Sequence, residues 1–143
     1  MDDPSSAGAS DHVKTIQRLQ TEIKRLDEEL SNAIKRATHI GMTPTEAKEY
    51  DARRTTLVEL AQRLWQLELE WSGEQSKAGF VERLRGLVHE LNNDLGLIVG
   101  YCELLEERVK ADSECAKRAH QIKEIALSMA KKLNVWKTGA GQA

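Results

Sequence analysis

Apolar residues recur along most of the chain at alternating steps of three and four. The first run is Ile16, Leu19, Ile23, Leu26, Leu30, Ala33, Ala37 and Ile40. That period winds a single apolar stripe onto an α-helix. Gly41 follows as the residue that ends it. The next stretch, "TPTE" from Thr43 to Glu46, is a capping box with Pro44 in the first helical position. Its stripe runs Tyr50, Leu57, Leu60, Leu64, Leu67 and Trp71, and Arg53 interrupts it. A connection of about two residues folds these helices back as an antiparallel hairpin. "SGEQSKAG", residues 72–79, breaks the pattern and reads as a linker or hinge. A third stripe follows through Val81, Leu84, Val88, Leu91, Leu95, Ile98, Cys102, Leu105 and Val109. "KADSE" marks a tight connection, with Asp112 or Ser113 as the next cap. The fourth stripe is Cys115, Ala119, Ile122, Ala126, Met129, Leu133 and Trp136.

The expected fold is all-α, built of two antiparallel helical hairpins. The expected boundaries are a disordered N-terminus over 1–10, a coiled-coil hairpin over 11–72, a linker over 73–79, a second hairpin over 80–136, and a disordered tail over 137–143. Leu87, Leu97, Val99, Tyr101, Leu104 and Ile125 widen the apolar surface of the second hairpin beyond one stripe. Two hairpins must therefore meet. Either the two hairpins of one chain pack together, or two chains dimerise into a four-helix bundle; the favoured arrangement is the homodimer, with the bundle formed by 80–136. The first hairpin is then a coiled-coil-like extension.

Composition narrows the class. Aromatic residues are 4 % of the 143, so a large mixed core is not expected. Charged residues are 31 %, both signs interspersed, which suits long helices with wet outer faces. A net charge of −2 implies no global attraction to nucleic acid or anionic lipid, and the basic residues lack an aromatic platform. No run of 18 apolar residues suggests a membrane span. Cys102 and Cys115 fall on apolar stripes and read as free buried thiols in a reducing compartment. With no signal peptide at the start, the expected location is cytoplasmic.

The one stretch that invites chemistry is "VHELNNDLGLIVGY", residues 88–101. His89 lies beside the third stripe and points out. Asn93, Gly96, Gly100, Glu103 and Glu107 continue from it as one face by steps of three and four. Each glycine costs a helix interior about 1 kcal/mol relative to alanine. That cost is easiest to understand if another surface approaches there. A lone helical histidine is more often a solvated or hydrogen-bonded residue with no special task, and His12, His39 and His120 read that way. "HELNN" is not the zinc-protease pattern, because Asn93 stands where the second histidine belongs. No Cys-x-x-Cys and no Walker-type phosphate loop occur, so no metal site is expected.

"HELNNDLGLIVGYCELL", His89 to Leu105, resembles the H-box of sensor histidine kinases, in their dimerisation and histidine-phosphotransfer domain. The matching residues are His89, Glu90, Leu91, Asn92, Asn93, Leu95, Ile98, Gly100 and Tyr101. The resemblance covers roughly residues 79–136. It implies a two-component signalling module with His89 as phosphoacceptor, and a neutral imidazole is a competent nucleophile near pH 7. It implies Glu90 as general base and Asn93 as the residue that orients water when a partner's phospho-aspartate is hydrolysed. Asn92, Gly96, Gly100 and Glu103 would then help dock a response-regulator receiver domain. The chain itself would bind no cofactor: magnesium and ATP would come with partners, among them a separate kinase ATP-binding domain. Two departures matter. Asp94 stands where the family has a proline that bends the helix, so a straighter helix is expected. Seven residues follow Trp136, too few for the family's ATP-binding unit, so the chain by itself is not expected to autophosphorylate. The stripes alone also fit a different class, a non-catalytic coiled-coil adaptor or oligomerisation module derived from such a kinase.

Overall fold

The structure is a computed structural model. It describes residues 4–71 and 77–142, with side chains described over 12–70 and 79–134. The elements are α1 (Pro4–Lys35), α2 (Ala37–Ile40), α3 (Pro44–Trp71), α4 (Lys77–Arg108) and α5 (Glu114–Gln142), and no strand occurs among the described residues. Helix therefore covers most of both end segments expected to be disordered, and α4 takes in the last residues of the expected linker.

The turn between α2 and α3 forms as its residues dictate. Gly41 sits in the left-handed region at φ +86, where a side chain would be strained. The Met42 N–H donates to the Ala37 carbonyl at 2.8 Å and the Gly41 N–H to that of Thr38 at 3.4 Å. That is a Schellman closure, with Met42 buried behind it. The capping box then closes reciprocally: the Thr43 N–H donates to Glu46 at 2.8 Å, and the Glu46 N–H donates to the Thr43 hydroxyl at 3.2 Å. Arg108 donates from α4 to both the Gly41 carbonyl and the Glu46 carboxylate, stitching this turn to the second hairpin. At the second turn Ser113 is the cap, accepting from the Ala116 N–H at 3.1 Å. One feature is not foreseen in the pattern. The expected single helix from Ile16 to Ile40 breaks at Arg36, whose φ of −103 and ψ of 11 fall in the bridge region. Its side chain reaches across to Glu114 at the start of α5 at 2.6 Å.

The stripes are buried as the three-four period demands. Ile16, Leu26, Leu57, Leu64, Leu84, Leu91, Ile98, Ile122 and Met129 all belong to one core. Trp71 and Trp136, which extend two of the stripes, lie outside the described side chains. Phe80, which the third stripe omits, is fully buried. The ring of His12 lies 6.1 Å from that of Phe80.

The hairpins combine differently from the favoured expectation. Helix α1 packs on α3, α3 on α4, α4 on α5, and α5 back on α1. Cross-helix pairs give the neighbours an antiparallel sense: Gln17–Glu68 and Asp27–Arg54 for α1 and α3, Glu46–Arg108 and Arg63–Glu90 for α3 and α4, and Glu22–Lys132 with Arg36–Glu114, just past α1, for α1 and α5; the short turn at 109–113, with Glu106–Lys123 below it, does so for α4 and α5. One chain thus supplies all four walls of an up-down-up-down bundle. The first hairpin is not an extension. Its stripe covers the second hairpin's stripe, and so the widened surface at Leu87 is buried without a second chain.

Candidate functional site

Helix α4 carries every residue singled out for chemistry. Its inner face is the third stripe. Its crest, the side away from the core, exposes His89, Asn92, Asn93, Gly96, Glu103 and Glu107, and leaves Gly100 half-buried. His89 has no hydrogen-bond or ion-pair partner among the described residues. Adding a Cβ to Gly96 or Gly100 would meet nothing within 4 Å. No surface of the chain itself therefore approaches these glycines. Leu97 and Leu104 flank the notch at Gly100 and are 47 % and 63 % exposed.

The residue beside His89 has a partner that the sequence did not announce. Glu90 turns toward α3, where Arg63 donates to its carboxylate at 2.7 Å. Both side chains remain about half-exposed. Asn93, Glu90 and Leu97 line a shallow groove of about 340 Å³ with Arg53, Arg63 and Asp94. The bundle thus brings His89, Glu90 and Asn93 onto neighbouring turns. It gives Glu90 to an arginine and opens Asn93 into the α3–α4 groove.

Beneath the crest lies the least expected contact. Asp94 is 2 % exposed, the one buried charged residue in the described core. Arg53 of α3 donates to its Oδ1 at 2.8 Å. Its Oδ2 and the Arg53 Nε find no partner among the described residues. Burial pushes the Asp94 carboxyl up to about 6, although the charge and hydrogen bond of Arg53 pull the other way. Desolvation outweighs the single partner, as it does when a buried carboxylate keeps an unmet lone pair. Both residues had stood out separately: Arg53 as the break in an apolar stripe, Asp94 as the residue standing where the resembled family has a proline. Opposite charges interrupting two stripes of adjacent helices were the available signal.

The remaining titratable groups read as structure. Tyr50 and Cys102 touch at 3.4 Å in the core. Burial pushes the Cys102 thiol up to about 11 and also raises Cys115, so both thiols stay protonated near neutrality. Burial pushes Glu46 up, but the Arg108 and Thr43 hydrogen bonds outweigh it and hold the carboxyl below its usual range. His120 is exposed, with Glu106 at 3.2 Å and Glu124 at 3.7 Å. Among the described residues no three His, Cys, Asp or Glu side chains converge as metal ligands, and no helix is long and apolar enough to cross a membrane. In comparisons with known proteins, no family model, no curated protein and no solved structure matches this chain.

Proposed function

We propose that the chain is a histidine phosphotransfer module of two-component signalling, with His89 as phosphoacceptor and the crest of α4 as the surface a receiver domain meets. One observation carries the reading. His89 stands exposed and unpartnered, one turn from Asn93, above crest glycines that face open space, with Gly100 between two exposed leucines. Helix-weakening glycines with no close neighbour in the chain are accounted for by a surface outside it.

In the proposed transfer, one ring nitrogen of His89 attacks the phosphorus of a receiver's aspartyl phosphate. The N–P bond forms as the acyl P–O bond breaks, the electron pair leaves on the receiver's carboxylate, and the proton of the other ring nitrogen passes to solvent or a base. Glu90 serves as that base only if it first gives up Arg63, so its proposed role is conditional on partner binding. Asn93 orients water in a separate reaction, hydrolysis of the receiver's aspartyl phosphate. The receiver supplies its own aspartate and magnesium, and a separate ATP-binding domain is the alternative source of phosphate. A cytoplasmic site of action goes with this reading.

The rival, a non-catalytic adaptor, draws support from the same Arg63–Glu90 pair, which ties the residue beside the histidine into the bundle. Phosphate transfer separates the two. The full chain is offered phosphorylated receiver domains and a separately expressed kinase ATP-binding domain, with His89→Ala as control. Acid-labile, alkali-stable label on the wild type and none on the variant is the expected result. Equal labelling of both would reject His89 as the site. No label and no receiver binding would leave the adaptor.

A further inference from the structure

We infer that the Arg53–Asp94 pair selects which hairpin the second hairpin packs on: it holds α4 and α5 on α1 and α3 of the same chain and disfavours their pairing with the second hairpin of another copy. The apolar stripes do not make that choice. All four alternate three and four, and the second hairpin's widened surface could be covered by either partner. What distinguishes the partners is the charge set into each stripe. Asp94 points from α4 into the seam with α3, and Arg53 answers it from the other side at 2.8 Å. A two-fold pairing of second hairpins would bury Asp94 and its symmetry mate in apolar stripes that offer no cation. A two-fold pairing of first hairpins would do the same to two copies of Arg53. Only the mixed pairing joins opposite charges. Discrimination by a penalty on the wrong partner is how charged positions choose partners in helical assemblies.

The bond geometry shows selection rather than strong adhesion. One carboxylate oxygen and the Arg53 Nε go unmet. A pair that adds little net stability can still impose a large penalty where its partner is missing. The charge on Asp94 is also removable. Arg53 of α3 is the charged group that acts on it, Glu59 and Arg63 of α3 and Glu90 of α4 line the same groove, and no charged side chain of α1 or α5 acts on it among the described residues. Its carboxyl is pushed up to about 6 in the intrachain bundle, where Arg53 pulls it down. In a pairing without Arg53 it would stand higher still. Acidification therefore stabilises the two-copy arrangement more than the intrachain one, and the preference narrows as pH falls through this range.

The test uses the full chain, with mass by light scattering and amide exchange in α1 and α3, at pH 7.5 and pH 5. The variants are Asp94→Leu, Arg53→Met and the charge exchange Arg53→Asp with Asp94→Arg. At pH 7.5 the wild type should keep α1 and α3 protected against α4. Asp94→Leu, and the wild type at pH 5, should form dimers in which α1 and α3 lose protection, with dimer affinity raised on the order of tenfold, within the range for coupled charge pairs. The charge exchange should restore the wild-type mass and protection. The inference is overturned if mass and α1–α3 protection are the same in the wild type at both pH values and in Asp94→Leu. It is equally overturned if the charge exchange behaves like the single variants. Asp94→Leu leaves Arg53 without its partner and lowers stability, so the acidification arm, which needs no variant, keeps the inference falsifiable.

Discussion

At the scale of single residues, burial decides behaviour more than identity does. Four histidines share a side chain, yet His12 lies against Phe80, His120 faces Glu106, and His89 stands exposed on a crest shared with Asn92 and Asn93. Asp94 makes the same point for carboxylates. Its folded-state value near 6 compares with about 3.9 for an unfolded aspartate, so the native chain holds this proton more tightly than the unfolded one. The resulting stabilisation is fully present below about pH 4 and is lost as pH rises through about 6. The stability of the wild type minus that of Asp94→Asn should therefore fall by on the order of 3 kcal/mol from pH 4 to pH 7. Denaturant titrations of both proteins across that range measure it, and a flat difference would contradict the assignment. Taking the difference removes the opposite trend of Glu46, whose lowered carboxyl stabilises above its unfolded value and stops doing so as pH falls through its own.

At the scale of the helix, glycines divide by backbone conformation, since an added Cβ meets nothing within 4 Å at Gly41, Gly96 or Gly100. Gly41 adopts φ +86, so Gly41→Ala should cost about 1–2 kcal/mol, seen as a lower denaturation midpoint. Gly96 and Gly100 sit in regular helix with free space where a Cβ would go. Alanine at either should stabilise the chain by about 1 kcal/mol and weaken receiver binding, a trade readable by melting and by titration. A variant that gained stability and bound receivers as before would leave the crest glycines without a role. Most of the helix-scale order was legible beforehand. The three-four period marked the stripes, and "TPTE" and "KADSE" marked the caps, because both signals are local. The break at Arg36 was not legible. It depends on backbone torsions at one residue and on a partner in α5, and neither leaves a trace in a single helix's pattern.

At the scale of the whole molecule, the question was which hairpin covers which, and the apolar pattern alone could not answer it. Leu97 and Leu104 read as extra core and prove exposed, while Leu87 is buried against the first hairpin. Periodicity says how wide a stripe is but not whether its cover comes from the same chain. Because one core runs through both hairpins, truncating it anywhere should be felt everywhere. Leu91→Ala should cost about 2–5 kcal/mol, and protection in α1–α3 and in α4–α5 should be lost in one transition. Separate transitions for the two hairpins would show that the shared core is not cooperative.

The antiparallel ring also decides where the chain can be tethered or cut. Helix α1 starts, α3 ends, α4 starts and α5 ends at one pole, whereas both tight turns, at Gly41 and Ser113, cap the other. A module fused to either end would hang from the pole at which α4 starts, and that start lies about 18 Å below His89 along α4. On the proposed phosphotransfer reading, a phosphate donor tethered at either end approaches that histidine from the same pole. By the same geometry the two ends can be joined and the ring reopened at the Ser113 turn, giving a circular permutant that keeps every wall of the bundle.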